Sequence, residues 1–132
     1  MTTKKKIKTS KDLALYCSKL ALDKKAFNVI LMDITPWHTL NDYVLICSAL
    51  SSVHAQTIID TIRENLKKEA NLHPLGLEGY AQGNWILLDY NDVIIHVFYE
   101  YVREFYDLEN LWHDAPRLKI PKSYYKKIYA TK

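Results

Sequence analysis

Asp89 and Asp92 flank a short turn, as paired carboxylates do in a metal or acid–base site. Aspartates that simply build the turn give the same spacing and are far commoner. Cys47 and His54 are near enough in sequence to be tried as a nucleophile and its base. A lone cysteine at the end of an apolar run is more often a core residue. Cys17 lies 30 residues before Cys47, so there is no CxxC. The five histidines, His38, His54, His73, His96 and His113, contain no HxxxH pair. Gly76, Gly79 and Gly83 complete neither GxGxxG nor a Walker A loop, and there is no GxSxG. Neither nucleophilic nor metal chemistry has a specific signature, and the residues favour a protein that binds rather than one that catalyses.

The elements that must carry these residues follow from periodicity. Residues 10–24 read as a helix with Ser10 as its N-cap and Leu13, Cys17, Leu20 and Ala21 on one face. Residues 27–34 and 43–49 read as strands, separated by a turn-rich stretch around Pro36. Ser51 and Ser52 can cap a long helix to about Ala70, with Ala55, Ile58, Ile59, Ile62 and Leu66 facing the core. Pro74 stops it, a short strand spans 75–78, and 85–89 and 93–99 form the clearest strand pair. Asn91 is the expected left-handed residue of that hairpin. Residues 100–112 read as a third helix, with Val102, Phe105, Tyr106, Leu108 and Trp112 on its apolar side. The order is α-β-β-α-β-β-β-α. The strand 43–49, the long helix and the next strand suggest one right-handed crossover. The fold class is α/β, a mixed sheet packed with helices.

Parity within the hairpin separates two faces. Ile86, Leu88, Val93, Ile95, Val97 and Tyr99 form a uniformly apolar face suited to the core. Trp85, Leu87, Asp89, Asp92, Ile94, His96 and Phe98 form a mixed one. That mixed face has two readings. It is covered by a helix with its Asp and His satisfied internally, or it is a docking surface with aromatic anchors among scattered polar groups.

A chain of 132 residues, 48% apolar and 25% charged, supports one globular core burying roughly two thirds of the unfolded surface. The two isolated cysteines point to reduced thiols, and no stretch reads as a signal peptide or a membrane span, so the expected location is the cytoplasm. Charge is unevenly placed. Residues 1–11 hold five lysines and no acid, and residues 115–132 hold five lysines, Arg117 and no acid. The stretch 12–114 holds seven basic and 15 acidic residues. Basic ends of this kind meet nucleic acid or an anionic surface, or are merely solvated. Tyr124, Tyr125 and Tyr129 among the tail lysines either stack on RNA bases or dock on the domain as an amphipathic stretch.

Four segments together carry a resemblance. They are Asp42-Tyr-Val-Leu-Ile-Cys-Ser-Ala-Leu-Ser-Ser-Val-His54, His73-Pro-Leu-Gly-Leu-Glu-Gly79, Trp85-Ile-Leu-Leu-Asp-Tyr-Asn-Asp-Val-Ile-Ile-His-Val-Phe98 and Arg103-Glu-Phe-Tyr-Asp-Leu-Glu-Asn-Leu-Trp112. In this order and spacing the chain resembles the ribosomal silencing factor (Iojap-related) family over about residues 10–112. The resemblance implies a nucleotidyltransferase-like fold without transferase activity. It also implies a repressor of translation that binds protein fourteen of the large ribosomal subunit and blocks joining of the small subunit. The sequence agrees with the inactivity, having no Gly-Ser dipeptide and no Asp-x-Asp. Its Asp107-Leu108-Glu109 is read as the solvated side of the third helix. Cys47-Ser48 stands where Thr-Gly is common in the family, which tightens space beside the capped helix. Asn91 stands where glycine is common and preserves the turn.

The implied domain plan is a basic arm at 1–9, one silencing-factor-like domain at 10–113 and a basic tail at 114–132, with the tail beyond Leu118 outside the resemblance. The implied partner-binding residues are Trp85, Asp89, Tyr90, Asp92, Ile94, His96 and Phe98, with Trp85 the first anchor and Asp89 and Tyr90 at the rim. The lysine-rich ends reach toward ribosomal RNA, and an exposed aromatic face could self-associate as a homodimer. No cofactor or membrane enters this reading. The alternatives are a nucleotidyltransferase-like enzyme and a general RNA-binding module acting through the basic ends.

Overall fold

The computed structural model describes residues 7–125. Within them the chain runs α1 (Ser10–Asp23), β1 (Phe27–Asp33), β2 (Tyr43–Ala49), α2 (Ser52–Ala70), β3 (Gly76–Glu78), β4 (Trp85–Asp89), β5 (Val93–Tyr99) and α3 (Glu100–Tyr106). Short 3-10 turns occur at Thr35–Trp37, Leu108–Trp112 and Lys122–Tyr125. The expected order of elements is the observed one.

The caps set where each helix starts. Thr9, not Ser10, caps α1: its hydroxyl accepts from the Asp12 amide at 3.0 Å, and the Asp12 carboxylate accepts from the Thr9 amide at 3.3 Å. This reciprocal box needs an acid three residues after the cap, which Thr9 has and Ser10 lacks. Ser51 caps α2 by accepting from the His54 amide at 3.0 Å. Asn71, left-handed at φ 53°, ends that helix.

The sheet is five-stranded, in the order β1-β2-β5-β4-β3. Only β2 and β5 are parallel; the other pairs are antiparallel. It follows that β3 runs parallel to β2 but three places away, because both strands of the β4–β5 hairpin lie between them. The crossover through α2 therefore ends at the far edge of the sheet rather than next to β2.

Helices α1 and α2 cover one face. Cys17, Leu20, Ile58, Ile59 and Ile62 meet Leu31, Leu45, Cys47, Ile86, Leu88, Ile95 and Val97 there, all buried. Parity in the hairpin holds: Trp85 pairs with Phe98, Leu87 with His96 and Asp89 with Ile94, all on the opposite face. The turn is two residues, Asn91 and Asp92, closed by the Tyr90 amide donating to the Val93 carbonyl at 3.0 Å. Asn91 takes φ 72°, as its residue type predicts.

The third helix departs from its expected span. It stops at Tyr106 because Asp107 is left-handed at φ 46°, and residues 108–112 continue as a 3-10 turn. The bend brings Glu109 back onto Arg103, whose Nε and Nη2 donate to the two Glu109 carboxylate oxygens at 3.1 and 3.0 Å. Glu109 is thus an internal ion-pair partner and not the solvated side of a helix. Arg103 Nη1 also donates to the Ser48 hydroxyl at 2.8 Å and to the Asn28 carbonyl at 2.6 Å. Ser48 does more than tighten space: it gives the buried guanidinium a partner.

From Ala115 to Tyr125 the chain stays on the domain. Ala115 is buried, the Asp33 amide donates to the Pro116 carbonyl at 2.9 Å, and the Leu118 amide donates to the Leu31 carbonyl at 2.8 Å. This segment covers the outer edge of β1. Tyr124 then lies beside α1, in a groove with Leu15, Tyr16 and Lys19. The docked reading therefore describes Tyr124, while Tyr129, like residues 1–6, lies outside the described residues.

Candidate functional site

The face of the sheet opposite α1 and α2 is only partly covered. Val102, Leu108, Trp112 and Ala115 pack on Met32, Ile34, Val44, Ile46 and Phe98, closing a smaller second core over β1, β2 and the end of β5. Toward the hairpin the face opens, and Leu87, Asp89 and Ile94 are half-buried.

Trp85 sits at the border of the covered and open parts. Its ring stacks on Phe98 at 5.0 Å between centroids and 27° between planes, and meets Tyr106 at 4.7 Å. Its indole Nε1–H donates to His96 Nδ1 at 3.0 Å. Gly79 makes room for this start of β4. It has φ +77°, and a Cβ there would collide with the Trp85 carbonyl. Beside the indole is a cleft of about 380 Å3, with Tyr101, Phe105 and Tyr106 as its aromatic wall. Phe105 is 82% exposed and Tyr101 73% exposed. An aromatic patch this open, beside a half-buried tryptophan, has the composition of a protein-docking surface.

The residues expected to bind a partner are distributed unequally. Trp85 and Ile94 lie half-buried on the open face, and Asp92 is exposed in the turn. Asp89 is half-buried and its carboxylate accepts from the Asn91 amide at 2.7 Å, which is the turn-building role. His96 is 8% exposed and Phe98 fully buried, so both lie beneath the surface. Tyr90 is not at the rim. It alternates to the helix-covered face, where it is 7% exposed within the main core, and burial raises its pKa.

Sequence reasoning missed Tyr101 altogether and placed Phe105 and Tyr106 on the core side of a longer helix. Tyr101 and Phe105 are four residues apart, and this spacing was the available signal for a second aromatic stripe.

Burial decides the protonation states. His96 is pushed down to about 4 by desolvation, so it is neutral at neutral pH. The Cys17 and Cys47 thiols are pushed up to about 12 by the same cause. Cys47 is thus no thiolate nucleophile. His54 is no base for it either, since its Nδ1 accepts from the Leu50 amide at 2.9 Å and its Nε2 bonds the Lys24 carbonyl at 2.6 Å. Among the described residues, no three His, Cys, Asp or Glu side chains are grouped to hold a metal ion. No helix among them is long and apolar enough to cross a membrane.

Comparison with known proteins agrees with this fold. Residues 7–131 match the family model described as ribosomal silencing factor during starvation. The match runs well past Leu118 and takes in the tail that the motifs had left outside. A ribosomal silencing factor from Halalkalibacterium halodurans is 36% identical over 98 residues, 74% of this chain and 83% of that protein. The one from Bacillus subtilis is 35% identical over 94 residues, 71% of this chain and 79% of that protein. The chloroplast protein Iojap of Arabidopsis thaliana is 28% identical over 82% of this chain and 44% of that protein. A crystal structure from Bacillus halodurans superposes with a TM-score of 0.74 at 31% identity, covering 83% of this chain and 99% of that one. With a family match along almost its whole length and relatives above 30% identity, this chain belongs to the ribosomal silencing factor family.

Proposed function

We propose that this protein binds the large ribosomal subunit through that subunit's protein fourteen and keeps the small subunit from joining, so that translation is repressed. The observation that carries the reading is the Trp85-centred aromatic surface on a member of this family. No catalytic step is needed: intersubunit contacts cannot form through another protein. The docking set is Trp85 with Ile94, Asp89 and Asp92 around it and the Tyr101–Tyr106 wall beside it. His96 and Phe98 support the set from below. Residues 12–114 are net acidic, with seven basic residues against 15 acidic ones, which suits a basic ribosomal protein. The lysine-rich ends suit contact with neighbouring ribosomal RNA. A homodimer through the same face would compete with docking. The cytoplasm is the compartment this reading assigns.

Co-sedimentation with separated subunits tests it. The expected result is stoichiometric migration with the large subunit alone, and fewer joined ribosomes when the small subunit is added. Equal, salt-labile binding to both subunits would overturn the reading in favour of general RNA binding. Trp85→Ala is expected to weaken large-subunit binding by about 2 kcal/mol or more. Because Trp85 is half-buried against Phe98, its thermal melt is expected to fall as well while the far-ultraviolet dichroism stays native. A variant that binds undiminished would remove Trp85 from the interface.

A further inference from the structure

An anchor side chain contributes most when its orientation is settled before the partner arrives. Trp85 has one polar group, and the fold assigns it a specific acceptor, His96 Nδ1 at 3.0 Å. An indole N–H only donates, so this Nδ1 is the bare nitrogen and the neutral ring carries its hydrogen on Nε2. The two residues sit on neighbouring strands, His96 directly opposite Leu87 and Trp85 opposite Phe98. The His96 ring lies 6.0 Å from the indole and 6.4 Å from Phe98, so the three rings form one cluster. Stacking alone would let the indole slide across Phe98; the hydrogen bond removes that freedom.

We propose that His96 is the positioning residue of the docking face: its bare Nδ1 holds the Trp85 indole in one orientation, and a proton on that nitrogen releases it. The proposal rests on the docking reading above and deepens it. Protonated His96 presents an N–H to the indole N–H, so two donors face each other where a hydrogen bond stood. Among the described residues, no carboxylate bonds or pairs with His96 to keep that proton in place. Strand β2 brings Val44, Ile46 and Ser48, β4 brings Trp85, Leu87 and Asp89, and α3 with its following turn brings Tyr106 and the Arg103–Glu109 pair. Asp89 is engaged with the turn, and Arg103 and Glu109 are engaged with each other. Burial is the cause of His96's depressed basicity.

The test uses the full chain labelled with 15N, following its tryptophan indole N–H resonances from neutral pH to about pH 3.5, with Trp85 assigned by Trp85→Phe. The Trp85 resonance is expected to shift with a midpoint about pH 4, before those of Trp37 and Trp112 change. In His96→Asn, whose amide oxygen replaces Nδ1 as acceptor, the shift is expected to vanish. At neutral pH, His96→Leu is expected to weaken large-subunit binding about tenfold, and His96→Asn to restore most of the loss. A Trp85 resonance that stays flat while His96 titrates, or that moves only together with the other two, overturns the proposal. So does a folded His96→Asn that binds no better than His96→Leu. Should the unsubstituted chain fail to bind the large subunit, the docking reading falls, and the indole titration alone upholds or overturns the positioning role.

Discussion

At the scale of the residue, depth decides role. Trp85, His96 and Phe98 share a face by simple parity, yet Trp85 is half-buried while Phe98 is fully covered and His96 nearly so. Parity reads the face from sequence but not the depth, because depth depends on where α3 comes to rest. His96 also links stability to pH. Unfolded, an imidazole takes up a proton near pH 6.5; folded, this one does so only near pH 4. Between these values the unfolded chain binds more protons, so stability falls as pH drops from about 6.5 and levels off below about 4. The loss attached to His96 is about 3 kcal/mol over that window. Urea denaturation across this range checks it, with His96→Asn as control. The same slope in both chains would assign the acid sensitivity to other groups.

At the scale of the element, the joint between α3 and the 3-10 turn decides what the docking face looks like. Left-handed Asp107 turns the chain, and the buried Arg103 ties the joint to Glu109, to Ser48 at the end of β2 and to the bulged Asn28 of β1, itself at φ 50°. A continuous helix through Trp112 would carry Glu109 away from Arg103 and leave a buried guanidinium without its carboxylate, which is strongly unfavourable. Arg103→Met is expected to cost about 3 kcal/mol of folding free energy, measured by chemical denaturation, because Glu109 and Ser48 lose their partner together. A loss under about 1 kcal/mol would mean that apolar packing by Val102, Leu108 and Trp112 holds the joint. Periodicity alone could not find the break: the apolar spacing runs on through Leu108 and Trp112, and the reason for stopping lies in residues 55 and 75 positions away, Ser48 and Asn28.

At the scale of the whole molecule, the chain covers one edge of its own sheet. Residues 116–118 bond to the outer edge of β1, and Leu118 and Ile120 pack on the main core, so the chain after Asp114 works as a strap. An uncovered strand edge is a template for pairing with another chain. Truncation after Asp114 is therefore expected to lower the melting temperature and to raise association with concentration relative to the full chain, read by analytical ultracentrifugation. A truncated chain with unchanged melting and mass would show that the β1 edge needs no cover. The strap was not legible in sequence, because Pro116 and Pro121 break its regularity and a single bridge, Met32 with Arg117, replaces a full strand.

The amino-acid sequence by itself determined the order of elements, the two faces of the hairpin, the left-handed Asn91 and, through four ordered motifs, the family. All of these rest on local information: side-chain period, turn chemistry and spacing along the chain. The same parity sends Tyr90 to the core face, against its expected place at the rim. Only the tertiary structure decided that Phe98 and His96 lie beneath Trp85. It alone decided that Tyr101 and Phe105 face outward and that Arg103 joins α3 to the turn after it, to β1 and to β2. These depend on where separate elements meet, and burial, which sets the charge of His96 and the inertness of Cys47, exists only after they have met.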